Sequence, residues 1–377
     1  MARHRALPKQ RPTVHNGRVS PDRSTAPPTL RDVAADAGVH PATASRALNP
    51  TTRPLVNEET AERVLAAAAR LGYRPNPIAR GLKTNRSYTI GVVVPDLRNP
   101  LFPPIARGIE ERLEGSGYTS VLANTDNLDE RERLSVEALR ARQVDGIITA
   151  TAHRHHPFLR ELADSGLPVV QVNRRMDDDA VPSVVADDRT GVGLVIDHLV
   201  ELGHGSIAHV GGPLEVSTGI ARYEAFLEAL EDRGVPVDEN LIPTAETYSE
   251  SEGARLTRAL LERGLEFSAI LAGNDLMALG CIDALREAGL RCPQDVSVVG
   301  FNDMDWSDRF SPPLTTVRVP HHELGVRAAD LLLERLADPE APARHVVLPV
   351  ELVVRGSTAA PRTGPRKKRL TARNAAH

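Results

Sequence analysis

The chain has 377 residues, of which 41% are hydrophobic, 25% charged and only 3% aromatic; that length exceeds one ordinary core and suits a small module joined to a larger, two-lobed body. Its apolar runs reach about seven residues, against the ~20 needed to span a bilayer, so no membrane helix is expected. The net charge of −4 conceals an asymmetry: residues 1–84 carry 14 Lys and Arg against 6 Asp and Glu, residues 85–360 carry 26 against 44, and the last 17 carry 6 basic groups and no acid. A basic end on an acidic body reads either as a first module aimed at a polyanion or as a solvated basic tail.

Residues 1–28 are rich in Pro, Arg, Ser and Thr without a hydrophobic period, and read as a disordered basic tail. No apolar stretch follows MARHRALPKQR, so it does not read as a secretory signal. Two cysteines, Cys281 and Cys292, suit packing roles in a reducing compartment, so the cytoplasm and its nucleoid are the expected location.

From residue 29 the pattern is helical. Leu30, Val33, Ala34 and Ala37 share one apolar helical face and Gly38 breaks it; PATASRALN follows, with Pro41 suited to a first helical position. A third helix is expected from about 58 to 71, with Asn57 as N-cap and Gly72 as its stop. Residues 29–75 therefore read as a helix-turn-helix domain whose second helix enters a major groove. Ala44, Ala47 and Leu48 face inward, leaving Pro41, Ala42, Ser45, Arg46 and Asn49 towards DNA. Arg46 can bond a guanine edge bidentately, whereas Pro41 and Ala42 offer apolar contact only. Thr29, Leu30, Thr43, Ser45 and Asn49 are also placed at DNA, the polar ones as phosphate-positioning groups. Residues 76–87 form a proline-punctuated hinge with one short helix.

After Tyr88, β-branched runs alternate with amphipathic helices: TIGVVVP, TSVLAN, DGIITAT, PVVQVN, SVVA, SIAHVGG, AILAGN, VSVVGFN and TTVRVP. Continuous apolar strands alternating with helices predict parallel sheets covered on both faces, and nine strands are too many for one small sheet. The expected core spans 88–356, with one lobe at about 88–187 and 318–343 and the other at about 188–317 and 344–356; residues 357–377 read as a second disordered tail. Polar residues follow the strands directly: Asn124, Thr149 to Thr151, Asn173-Arg174, Asp187-Asp188, Asn274-Asp275 and Asn302-Asp303. Ligands of parallel α/β sheets bind outside the carboxyl ends of strands, so these tips should converge on one crevice. Each residue alone reads equally well as a helix cap or turn residue.

Chemistry is sparse. Gly191-Val192-Gly193 lacks the third glycine of a dinucleotide loop, there is no GxxxxGK[ST], and His153, His155 and His156 crowd into a loop rather than one helical face. No enzyme activity, cofactor or metal is expected.

Several motifs in order, TLRDVAADAGVHPATASRALN, VNEETAERVLAAAARLGYRPNPIARGLKT, IGVVVPDLRNPLF, AILAGNDLMALGCIDALREAG, DVSVVGFND and PPLTTVRVP, resemble the LacI/GalR family of bacterial transcriptional regulators over residues 29–356. The resemblance implies an all-α helix-turn-helix headpiece on an α/β, two-lobed core like that of periplasmic binding proteins. It also implies a homodimer, or a dimer of dimers, that represses from a pseudo-palindromic double-stranded operator under control of a small-molecule effector such as a sugar or nucleoside. The hinge would become helical on DNA, with Leu82 wedged into the minor groove. Family pocket positions fall on Phe102, Arg222, Phe226, Asn274, Asp275 and Asn302; Phe226 reads equally as core, Asn124 and Arg174 join the set as strand-tip residues, and Trp306 reads as pocket or interface.

Three departures matter. His40 stands where the family usually has a serine cap, weakening the second helix by up to about 1 kcal/mol. Gly81 weakens the hinge helix by about 1 kcal/mol relative to alanine. Asn302 replaces the usual aspartate, which removes a charge and leaves carbohydrate open as the effector class. The competing reading is a small-molecule-binding protein whose N-terminal helices only mediate association.

Overall fold

The computed structural model describes residues 27–49, 52–74 and 86–362, and the chain divides into two units, Met1–Lys83 and Thr84–His377. In the first unit α1 spans Leu30–Asp36, α2 Pro41–Leu48 and α3 Glu58–Leu71, with a 3-10 turn at Arg53–Leu55. Thr29 and Asp32 form a capping box on α1, and Asn57 Oδ1 accepts from the Glu59 amide at 3.0 Å on α3. The start of α2 is better supplied than its sequence suggested. His40 Nδ1 accepts from the Ala42 amide at 3.2 Å, because that nitrogen sits one bond beyond Cγ, where an asparagine cap carries its oxygen. The core of this unit is Val33, Ala34, Ala44, Ala47, Ala61, Val64, Ala67 and Ala68. Such small side chains bury little area each, but they let three short helices approach closely, and the Asp36–Arg70 ion pair ties α1 to α3.

The second unit holds two sheets. One contains β1 (Thr89–Val94), β2 (Thr119–Asn124), β3 (Gly146–Thr149), β4 (Val169–Val172), β5 (Ser183–Ala186) and β10 (His345–Leu348), in the order β10-β5-β4-β3-β1-β2, all parallel. The other contains β6 (Ile207–Val210), β7 (Ala269–Ala272), β8 (Ser297–Asn302), β9 (Thr315–Arg318) and β11 (Glu351–Val353), in the order β11-β9-β8-β7-β6. Here only β11 runs antiparallel, against β9. Strands β3, β4, β6, β7 and β8 are buried throughout, as parallel strands covered on both faces must be. Helices α4 (Phe102–Glu114), α5 (Asp129–Ala141), α6 (Pro157–Asp164) and α11 (His321–Ala337) accompany the first sheet; α7 (Asp188–Glu201), α8 (Ser217–Asp232), α9 (Glu250–Glu262) and α10 (Asp275–Glu287) accompany the second.

Two expected boundaries are corrected. The sequence pattern places the chain from 344 in the second lobe, but β10 pairs with β5 in the first sheet, and only β11 onwards returns to the second. The segment from 357, read as a tail, is packed at its start. Ser357 is fully buried, its hydroxyl donating to the Val298 carbonyl at 2.6 Å and accepting from the Thr315 amide at 2.8 Å. Its burial serves hydrogen bonds rather than apolar contact, which a hydrophobic pattern does not register.

Each lobe also has one helix pair in backbone contact. Gly108 on α4 lies against the His322 carbonyl of α11, and Gly325 on α11 against the Ile105 carbonyl of α4. The arrangement repeats between α9 and α10, with Gly253 against Met277 and Gly280 against Glu250. A Cβ at any of the four would overlap backbone atoms of the facing helix.

Candidate functional site

Two surfaces have the chemistry of recognition. On α2, Ala44 and Ala47 are buried in the first unit's core, and Ala42, Ser45 and Arg46 are exposed on the other side of the helix. Pro41, Thr43 and Asn49 are half-buried beside that stripe. Two residues assigned to DNA have local work to do. Thr29 Oγ1 donates to Asp32 at 2.7 Å within the capping box, and Leu30 packs against the helical core. Leu82 lies outside the described residues.

The second surface is a narrow crevice lined by Asn99, Leu101, Asn173, Arg174, Thr218, Arg222, Tyr248, Asn274 and Asn302. Asn99 and Leu101 follow β1, Asn173 and Arg174 follow β4, and Asn302 ends β8, so both sheets deliver their carboxyl ends to it. Asn274 is the N-cap of α10. Its Oδ1 accepts from the Met277 amide at 2.9 Å, which leaves the amide hydrogens for the crevice. Asn173 and Asn302 both adopt positive φ, 65° and 119°. Non-glycine residues held there cost roughly 1–3 kcal/mol and persist where their surroundings over-determine them, commonly at binding sites.

The two arginines differ in kind. Arg222 is anchored: Nε donates to Asp188 at 2.8 Å, Nη1 to the Gly273 carbonyl at 2.6 Å, and the guanidinium lies 3.7 Å from the Phe301 ring centroid. Burial raises the Asp188 carboxyl, and the guanidinium against it acts in the opposite sense. Arg174 is equally buried, at 8% exposed, yet its Nε has no partner among the described residues. Burial pushes its guanidinium below the ordinary value, with Tyr248 and Glu215 opposing the shift.

Comparison with known proteins places this geometry. A family model described as bacterial regulatory proteins, lacI family, matches residues 29–76, and one for a periplasmic binding protein-like domain matches 196–358. The ribose operon repressor of Halalkalibacterium halodurans is 36% identical over 330 residues, covering 88% of this chain and 97% of that protein. The chain belongs to the LacI family. Among solved structures, the lac repressor dimer bound to operator and the anti-inducer ONPF superposes with a TM-score of 0.77 at 31% identity, covering 89% of this chain and 100% of that one. A LacI-family regulator from Enterococcus faecium with bound ribose gives 0.64 at 34% identity, over 73% and 100%. Like its relatives, this LacI-family chain is a DNA-binding transcriptional regulator with a helix-turn-helix unit and a periplasmic-binding-protein-like core. Among the described residues no helix is long and apolar enough to cross a membrane.

Within this regulator the crevice gathers four of the eight expected effector residues: Arg174, Arg222, Asn274 and Asn302. The other four do different work. Phe102 and Phe226 are sealed in the core, Phe226 stacked on His209 with ring centroids 4.9 Å apart, and Trp306 is exposed, so Tyr248 replaces the expected aromatic wall. Asn124 shapes loops: its Oδ1 accepts from the Leu97 amide at 2.9 Å and its Nδ2 donates to Asp126 at 2.6 Å. Asp275 turns away from the crevice to accept from the Met304 amide at 2.7 Å, from Ser307 and from Thr316. Sequence reasoning missed Asn99, Leu101, Thr218 and Tyr248 as lining residues. Thr218 sits one helical turn before Arg222 on α8, and that spacing was the available signal.

Asp275 carries a pH prediction. Burial pushes its carboxyl from 3.8 up to about 7, so folding takes up a proton between these values and its contribution to stability falls as pH rises through the window. His209 and His321 have the opposite sign: burial pushes both from 6.5 down to about 4, so the stability they confer is lost as pH falls from 6.5 towards 4. Asparagine at 275 keeps an acceptor for Met304 and removes the titration. Between about pH 5 and about pH 7, unfolding titrations should show Asp275→Asn gaining about 2 kcal/mol on the parent chain. A constant difference across that range would contradict the assignment.

Proposed function

We propose that the chain is a cytoplasmic repressor whose dimer grips a two-fold symmetric operator through α2 of each protomer, and whose grip is set by a small hydroxyl-rich molecule in the crevice. The observation that carries the effector half is the crevice itself, which amide, hydroxyl and guanidinium groups from both sheets line. Four asparagines supply donors and acceptors together, which suits several hydroxyl groups on one ligand. The ribose bound by the Enterococcus faecium regulator fits the same chemistry. Because the walls come from both lobes, a bound ligand favours one lobe arrangement over another, and that differential affinity is what is available to alter pairing of two DNA-binding units. Leu82, in the hinge at 76–87, is assigned to the minor groove.

The test is selection of bound DNA from a random pool by the full chain, followed by gel shifts with ligands found by thermal shift. Two-fold symmetric sites are expected, with affinity falling steeply as salt rises and changing when the crevice is filled. Asymmetric sites, or an affinity indifferent to every crevice ligand, would overturn the proposal.

A further inference from the structure

We infer that the effector is an anion: a small polyhydroxylated molecule bearing one carboxylate or phosphate, held by Arg174. The inference rests on the crevice being the effector site. Its carrier is an imbalance of charge. The Arg174 guanidinium lines the crevice, is more than nine-tenths buried, and has an Nε with no partner among the described residues. A guanidinium has five donors and no acceptor, and a ligand in the crevice is one source of the partner this one lacks.

Among the described residues no carboxylate lines the crevice, and Glu215 and Glu132 act on the Arg174 charge from outside it. Asp188 stands behind Arg222 as its ion-pair partner. Glu132 is held by His156 at 3.3 Å and by Thr151, and Glu215 is an exposed residue of a separate hollow beside the histidine loop. At the strand ends, where a carboxylate would accept from a neutral sugar's hydroxyls, the residues are Asn173, Asn274 and Asn302. A neutral polyol would give Arg174 hydrogen bonds but leave the buried cation without a direct counter-ion, whereas an anion supplies both. The amides then read the ligand's hydroxyl groups.

Isothermal titration of the full chain without DNA tests this with matched pairs: D-glucose against D-gluconate, and D-ribose against D-ribose 5-phosphate, with inorganic phosphate as a further probe. The charged member of at least one pair should bind about ten- to a hundredfold more tightly than its neutral partner, the range expected of a hydrogen bond to a charged group. Which pair responds separates carboxylate from phosphate. Arg174→Gln should remove the preference and, without ligand, raise the melting temperature, since an unpaired buried cation is gone. Arg174→Lys should retain the preference. Equal or tighter binding of the neutral partners would overturn the inference, as would no binding of any charged member at millimolar concentration or an undiminished preference in Arg174→Gln. Because binding is read without DNA, a ligand that binds but leaves operator affinity unchanged would fault the regulatory proposal and not this one.

Discussion

Replacing Arg222 by alanine is expected to cost about 3–5 kcal/mol of folding stability and to abolish ligand binding, because it removes one member of a buried ion pair. Asp188 would remain buried without its 2.8 Å partner, and the Gly273 carbonyl and Phe301 ring would lose the guanidinium between them. The destabilisation belongs to the orphaned charge more than to the lost pair. Removing both charges in the double variant Arg222→Met, Asp188→Leu should therefore restore stability by about 1–4 kcal/mol relative to Arg222→Ala while binding stays absent. Chemical denaturation of the three chains checks this. A double variant no more stable than Arg222→Ala would show that Arg222 acts through packing alone.

The second large effect is steric. Gly280→Val should cost about 3 kcal/mol or more, because its Cβ would overlap the Glu250 carbonyl and force α9 away from α10 across the contact that Gly253 completes. The Ala variant should fall in the same direction by less. A melting temperature unchanged in Gly280→Val would mean that the helices are not in backbone contact there.

How much was readable beforehand follows from what a linear pattern records. Nine strands were visible because each is a continuous apolar or β-branched run; β10 and β11, with four and three residues and partly exposed burial patterns, lacked that contrast. Strand-end amides were visible as polar residues after buried runs, which located Asn274 and Asn302. Phe102 and Phe226 were not separable from pocket aromatics, since a phenylalanine in a core and one on a ligand wall have the same chemistry and differ only in what lies beyond them. Asp275 beside Asn274 shows the same limit. Adjacent positions at a helix start point apart, one into the crevice and one into the α10–β9 seam where Thr316 and Ser307 wait. Ser357 was missed because hydrogen-bonded burial leaves no hydrophobic signature.

If α2 reads DNA through the exposed stripe of Ala42, Ser45 and Arg46, the discriminating quantity is a ratio. The dissociation constants of the full chain for its selected symmetric site and for a scrambled duplex, measured at one salt concentration, should differ by about a thousandfold or more. In Arg46→Ala that ratio should fall by at least about tenfold, one bidentate base contact per half-site being worth about 1–3 kcal/mol. Binding to the scrambled duplex should weaken far less. An unchanged ratio in Arg46→Ala would contradict the assignment of α2 as the recognition helix.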